Sequence, residues 1–120
     1  MGRMDALPTF DASMLQMLGN MAPPSFVSKM IDMYLTTTEP QVNSVDRAAR
    51  EGDWGVAAFA AHSLKSSSGN LGLPRLSEAV TRIDEAIRSG DLDQARLQAA
   101  LVRPLWEEAC SALREFRTRL

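Results

Sequence analysis

The chain has 120 residues, 45% of them hydrophobic, which is enough for one hydrophobic core but too little for a catalytic domain with a separate substrate domain. The net charge is −2 and the 13 lysines and arginines form no basic block, so the composition argues against nucleic-acid binding. The longest apolar run is short, and the N-terminus lacks the apolar core of a secretory signal. We therefore expect one cytoplasmic domain over residues 1–120, without a membrane span.

The spacing of apolar residues predicts helices throughout the chain, with no strand-like alternation. A short first helix is predicted over about residues 11–20, and it ends at the Pro23-Pro24 pair. Its apolar side chains are Phe10, Met14, Met17, Leu18 and Met21. The core of the domain is predicted to occupy about residues 24–120.

The second predicted helix is longer and carries two apolar stripes. The first stripe faces the core and consists of Val27, Ile31, Tyr34, Thr38, Val42, Val45 and Ala49. Pro40 removes one amide donor, so we expect a kink or short break near Thr37 to Glu39. The second stripe lies about 110° from the first and consists of Phe26, Met30, Met33 and Thr37. This second stripe either packs beneath the first helix or forms a docking patch, for which flexible methionines and an aromatic ring are well suited.

The third predicted helix follows a turn at Glu51-Gly52-Asp53, where Asp53 is a plausible N-cap. Either Gly69 or Gly72 is expected to end it. Its packing stripe consists of Trp54, Ala57, Ala61, Leu64, Ser68 and Leu71.

Two further helices complete the predicted fold. The fourth begins with Pro74 in its first turn, and its core side consists of Leu73, Leu76, Val80, Ile83 and Ile87. The fifth begins at Asp91, contains Pro104 as an expected bend, and buries Ala95, Ala99, Val102, Trp106, Ala109, Leu113, Phe116 and Leu120. Because the links are short, we predict an all-α, antiparallel up-down-up-down four-helix bundle with a short additional N-terminal helix.

His62 is the only histidine of the chain, and helical periodicity places it about 130° from the centre of the packing stripe of the third helix. We therefore expect it to be exposed. The residues at helical spacings around it are Gly55, Ala58, Lys65, Ser66 and Gly69, and four of these five are small. Glycine within a helix costs about 1 kcal/mol relative to alanine, so this small collar indicates that a partner comes close to the imidazole.

Lys65 lies one turn beyond His62 on nearly the same side, where its ammonium can reach an anion attached to, or transferring at, the imidazole. A neutral imidazole is a competent nucleophile. The pair therefore suits phosphoryl chemistry, although a histidine and a lysine at this spacing are by themselves a weak motif.

The segment AHSLKSSSGNLG resembles the AHxLKGxxxxLG signature of histidine-containing phosphotransfer (HPt) domains, the phosphorelay modules of two-component signalling. The resemblance extends to FDASMLQMLGN upstream and LSEAVTRIDEAIRSGD downstream, so it covers nearly the whole chain. By position, it implies that His62 is the phosphorylated histidine, that Lys65 is the lysine beside it, and that Gly69 and Gly72 are small positions after it. Ser66 departs from the family's usual glycine but is still small.

The resemblance implies a phosphorelay intermediate. His62 would accept a phosphoryl group from the phospho-aspartate of a receiver domain and pass it to another receiver, which would dock on the second and third helices. Mg²⁺ is expected in the receiver, and no cofactor is expected on this chain. Phe59, one turn before His62, belongs to the same docking hypothesis as the second stripe of the second helix. We expect a monomer that binds neither nucleic acid nor membrane.

Two other functions remain open: a non-catalytic module that binds and sequesters a receiver, and a structural bundle within a larger sensor kinase. An ATP-dependent kinase is not expected, because the sequence contains no phosphate-binding glycine loop. A zinc site is not expected either, because His62 and Cys110 are the only histidine and cysteine and lie far apart in the sequence. Cys110 is interpreted as a small core side chain.

Overall fold

The computed structural model describes residues 6–120, and these residues form five helices and no strand. The helices are α1 (Ser13–Met21), α2 (Pro24–Glu51), α3 (Trp54–Asn70), α4 (Pro74–Ser89) and α5 (Leu92–Thr118). Among the described residues, no helix has the length and apolar character needed to cross a membrane.

The four long helices form a closed ring in which α2 and α4 each contact both α3 and α5. Links of two or three residues join consecutive helices, so neighbours along the chain run in opposite directions. α2 and α5, which close the ring, are antiparallel as well. Asp32 pairs with Arg117, whereas Asp46, later in α2, pairs with Arg103, earlier in α5. The predicted up-down-up-down order is therefore present.

Side-chain caps set the starts of α3 and α5, as the sequence predicts. The Asp53 carboxylate accepts a hydrogen bond from the Val56 amide at 3.4 Å, and the Asp91 carboxylate accepts one from the Gln94 amide at 3.2 Å. Because the start of α3 is fixed, the direction of every later side chain on that helix follows from its periodicity.

α2 is continuous through Pro40, so the short break expected near Thr37 to Glu39 is wrong. Proline removes one amide donor, but tertiary packing holds the helix on both sides of it. Thr38, before the proline, is fully buried and bonded to Trp106, and Val42, after it, is also buried. Pro104 likewise lies within a continuous α5.

The predicted core stripes are largely buried, with two differences at the ends of the chain. Leu120 was expected in the core but lies beyond the end of α5 and is exposed. In α1 the fully buried side chain is Leu15, whereas Met14 and Met17 are exposed. Terminal segments have few neighbours, so helical spacing alone does not decide which of their apolar side chains is covered.

A buried polar network joins three helices. The Trp106 indole donates to the Thr38 hydroxyl at 2.9 Å, and that hydroxyl donates to the Tyr34 carbonyl at 2.6 Å. The Tyr34 phenol forms a hydrogen bond of 2.8 Å with the hydroxyl of Ser68, which has no exposed surface. Burial raises the pKa of Tyr34, so the phenol stays neutral in this bond. The network fixes α3 against α2 and α2 against α5.

The segment before α1 is held against the turn between α3 and α4. The Asp11 amide donates to the Gly72 carbonyl at 2.7 Å, and the Arg75 guanidinium donates to the Leu7 carbonyl at 2.7 and 3.0 Å. Gly72, rather than Gly69, provides the left-handed residue after α3, with φ of 76°. A Cβ at Gly72 would also collide with the Asp11 carbonyl.

Gly72→Ala is expected to lower the free energy of unfolding by more than the same change at Gly52. Both glycines have nearly the same φ, 76° and 75°, but a Cβ at Gly52 meets nothing within 4 Å. Gly52→Ala should therefore cost about 1–2 kcal/mol, the penalty for a left-handed residue, and Gly72→Ala clearly more because its collision is with backbone. Urea unfolding of both variants measures the difference, and equal losses would contradict a tight contact between Gly72 and Asp11.

Candidate functional site

The buried side of α3 consists largely of alanine, and this determines which residues face outward. Its buried residues are Ala57, Ala60, Ala61, Leu64 and Ser68. His62 lies on the opposite side and is exposed, as its position on the helix predicts. Small side chains on the inner face let α3 approach α2 and α4 closely, so the outer face is held rigidly by the bundle.

The His62 imidazole forms no hydrogen bond or ion pair with any of the residues 6–120. Lys65 is exposed on the same face and is also unpaired within that part of the chain. Side chains three positions apart on a helix are neighbours, with Cβ atoms about 5–6 Å apart. The arrangement therefore presents an accessible nucleophile beside a cation that is free to bind a phosphoryl oxygen.

The two glycines around His62, Gly55 and Gly69, are not required by packing within the described chain. Gly55, Ser66 and Gly69 are exposed, and Ala58 is half-buried. A Cβ added to Gly55 or Gly69 would meet nothing within 4 Å. Glycine lowers the stability of the helix at both positions and relieves no internal clash. The open space around His62 is therefore explained better by an external partner.

The predicted docking residues on α2 are mostly exposed, and three of the four lie beside α3. Phe26 is 47% exposed, Met33 is 66% exposed and Thr37 is exposed, whereas Met30 is half-buried against the core. α1 therefore does not cover most of this stripe. Met30, Met33 and Thr37 share a cavity of about 190 Å³ with Ser67 and Asn70 of α3, and we call it the Met33 cavity.

Phe59 is 66% exposed one turn before His62, and it borders a larger cavity between the same two helices. This Phe59 cavity has a volume of about 360 Å³ and is lined by Pro40, Gln41, Ser44, Val56, Phe59, Ala60 and Ser63. Sequence reasoning missed Gln41 and Ser44, because it assigned α2 beyond Pro40 to the core alone. It missed Val56 and Ser63, because it selected outer residues of α3 by their helical spacing from His62. The spacing of Val56, Phe59 and Ser63 on one flank of α3 was the available signal.

The remaining candidates for chemistry do not form a second site. Cys110 is buried, and burial raises the pKa of its thiol to about 11, so the reactive thiolate is scarce at neutral pH. No group of three or more His, Cys, Asp or Glu residues within 6–120 is arranged to hold a metal ion.

Comparisons with known proteins agree with this geometry. No curated protein sequence matches the chain. The crystal structure of histidine-containing phosphotransfer protein B (HptB) from Pseudomonas aeruginosa PAO1 is similar with a TM-score of 0.84 and 22% sequence identity, covering 94% of this chain and 97% of that one. This likeness confirms the predicted all-α helical bundle. The family model of the Hpt domain matches residues 29–116, which include all of the His62 surface on α3. The chain therefore belongs to the Hpt domain family, as the segment around His62 predicts.

Proposed function

We propose that this chain is a phosphorelay intermediate that accepts a phosphoryl group on His62 from the phospho-aspartate of one receiver domain and passes it to the aspartate of another. Membership of the Hpt family supports a histidine phosphotransfer role in a phosphorelay, and Hpt domains interact with receiver domains. The observation that carries the assignment to His62 is that the sole histidine is exposed and unpaired within the described chain, beside two glycines, Gly55 and Gly69, that no internal contact requires.

The transfer is a displacement at phosphorus. The unprotonated ring nitrogen of neutral His62 attacks the phosphorus in line, an N–P bond forms, and the bond from phosphorus to the aspartate oxygen breaks. The aspartate leaves with the bonding electron pair as a carboxylate. The reverse step returns the group from His62 to the aspartate of a receiver. The bundle contributes by holding the imidazole outward. Little further orientational entropy is therefore lost when a receiver docks.

Lys65 stabilises the phosphorylated state by charge. Its ammonium lies one helical turn from the imidazole and has no competing ion pair within residues 6–120. Mg²⁺ bound by the receiver, as the family resemblance implies, would neutralise charge on the transferring phosphoryl group. No cofactor bound by this chain enters the proposal.

The receiver docks on α2 and α3. The small collar of Gly55, Ala58, Ser66 and Gly69 lets its backbone approach His62, and the apolar residues of the flank supply contact area. These apolar residues are Phe26, Met30, Met33, Phe59 and the methyl group of Thr37. The chain acts as a cytoplasmic monomer in this proposal, and its partners are receiver domains of a hybrid histidine kinase or response regulator.

His62→Gln is expected to fold normally and to take no phosphoryl label from a phosphorylated receiver. The imidazole is exposed and unpaired within the described chain, so its loss removes the nucleophile without opening the core. Radiolabelled transfer followed by acid and base treatment checks the result, because phosphohistidine is acid-labile and phosphoserine is not. Acid-stable label, or label retained by the variant, would point to Ser66 or a neighbouring serine and contradict the relay.

Lys65→Ala is expected to slow transfer, or to shorten the lifetime of phosphorylated His62, by about tenfold or less. Solvent screens an exposed ammonium, so its interaction with a nearby anion is worth at most about 1 kcal/mol. Lys65→Arg keeps the charge and serves as the matched control. Rates of label gain and loss provide the measurement, and complete loss of transfer in a folded Lys65→Ala variant would show that the ammonium has a larger role.

Gly69→Leu is expected to block transfer from a receiver while sparing the imidazole. A Cβ at Gly69 meets nothing within 4 Å, the position is exposed and leucine favours a helix, so the fold should tolerate the change. A donor that needs no docking, phosphoramidate, should still label His62 at the wild-type rate. Gly19→Leu, another helical glycine with open space around its Cβ, is the control. Equal loss with both donors, or unchanged receiver transfer, would contradict docking over Gly69.

A further inference from the structure

The Phe59 cavity opens beside the nucleophile. Two of its lining residues, Phe59 and Ser63, are three positions before and one position after His62. At about 100° per residue, Phe59 lies only about 60° around α3 from His62. A specific interface covers about 800 Å² on each partner, so an interface centred on His62 extends over the mouth of this cavity.

The cavity has the size and lining to receive a side chain. Its volume of about 360 Å³ exceeds the cavity of about 150 Å³ that is known to hold benzene. The lining is mostly apolar, with Val56, Phe59 and Ala60 supplied by α3. Apolar surface of this kind gains free energy when an apolar group replaces water.

Gln41, which lines the cavity from α2, has a hydrogen-bond acceptor that lacks a donor within the described chain. Its side-chain oxygen is buried and has no hydrogen-bond partner within residues 6–120. Buried acceptors nearly always have a donor, and one without a partner destabilises its surroundings. Gln41 lines the cavity, so rotation of its terminal amide would turn the oxygen toward an entering donor, which would supply the missing hydrogen bond.

We propose that the Phe59 cavity is a socket for one side chain of the docked receiver, with an apolar body and a hydrogen-bond donor at its tip, and that Gln41 determines specificity by accepting from that donor. The inference rests on the proposed function and deepens it, because it names a recognition element beside the site of transfer. Gln41 touches the partner rather than the transferring phosphoryl group, so its effect falls on receiver binding.

Filling the socket tests its use. Ser44 lines the cavity from α2, on a different helix from His62, so Ser44→Leu occupies the space without altering the helix that carries the nucleophile. We expect the KM for a phosphorylated receiver to rise by about tenfold or more, with kcat within about twofold and phosphoramidate labelling unchanged. Ala100→Leu is the matched control, since Ala100 lines a groove between α2 and α5 outside the proposed docking surface. It should leave all three quantities at the wild-type level.

Replacing Gln41 tests the hydrogen bond. Gln41→Leu keeps the size of the side chain and removes the acceptor, so the KM for the receiver should rise about fivefold or more. Gln41→Glu, which keeps acceptor oxygens, should restore part of the loss. Gln98→Leu is the matched control, because Gln98 also has a buried oxygen without a partner in the described chain but lies in the groove between α4 and α5.

The outcomes separate the socket from the relay. If the wild type takes label from a receiver while Ser44→Leu and Gln41→Leu both behave like their controls, the socket is wrong and the relay stands. If Gln41→Leu binds the receiver equally well or better, the occupant carries no donor and the specificity role is wrong. If no phosphorylated receiver in a broad panel labels wild-type His62, the relay fails and the socket fails with it.

Discussion

The rotation of α3 about its own axis is the constraint on which the candidate site depends. A row of buried alanines lets the helix lie close to α2 and α4, and the hydrogen bond between Tyr34 and Ser68 fixes the inner face. Each residue corresponds to about 100° of rotation, so a slip by one position would turn His62 toward a neighbouring helix and expose the core. The unpaired imidazole keeps its orientation because of contacts on the far side of the helix.

On the outer face of α3, the stability of the helix conflicts with access of a partner to His62. Gly55 and Gly69 lower helix stability, and no internal contact requires them. α3 persists because packing of the inner face, rather than intrinsic propensity, supplies most of the stability of a helix in a bundle. Positions at which a local rule is broken without an internal reason are expected at functional sites, and here two of them surround the only histidine.

Much of this arrangement follows from the sequence alone. Helical periodicity in α3 places His62 outward, acidic caps mark the starts of α3 and α5, and short links lead to an antiparallel bundle. What periodicity misses depends on contacts between distant segments. The continuity of α2 through Pro40 depends on Thr38 and Trp106, and the Phe59 cavity is formed by residues of two helices together. A single helix contains no information about the gap beside it.

The buried polar network also bears on the order in which the chain acquires its structure. α2 and α3 are adjacent and can pair soon after they form, but Thr38 obtains its donor from Trp106, 68 residues later. Contacts between residues so far apart in sequence form late, because closing a long loop costs entropy before the contact returns any stability. During synthesis, the nucleophile therefore emerges well before the indole that completes its support. The correct presentation of His62 is a property of the finished bundle rather than of the helical hairpin that carries it.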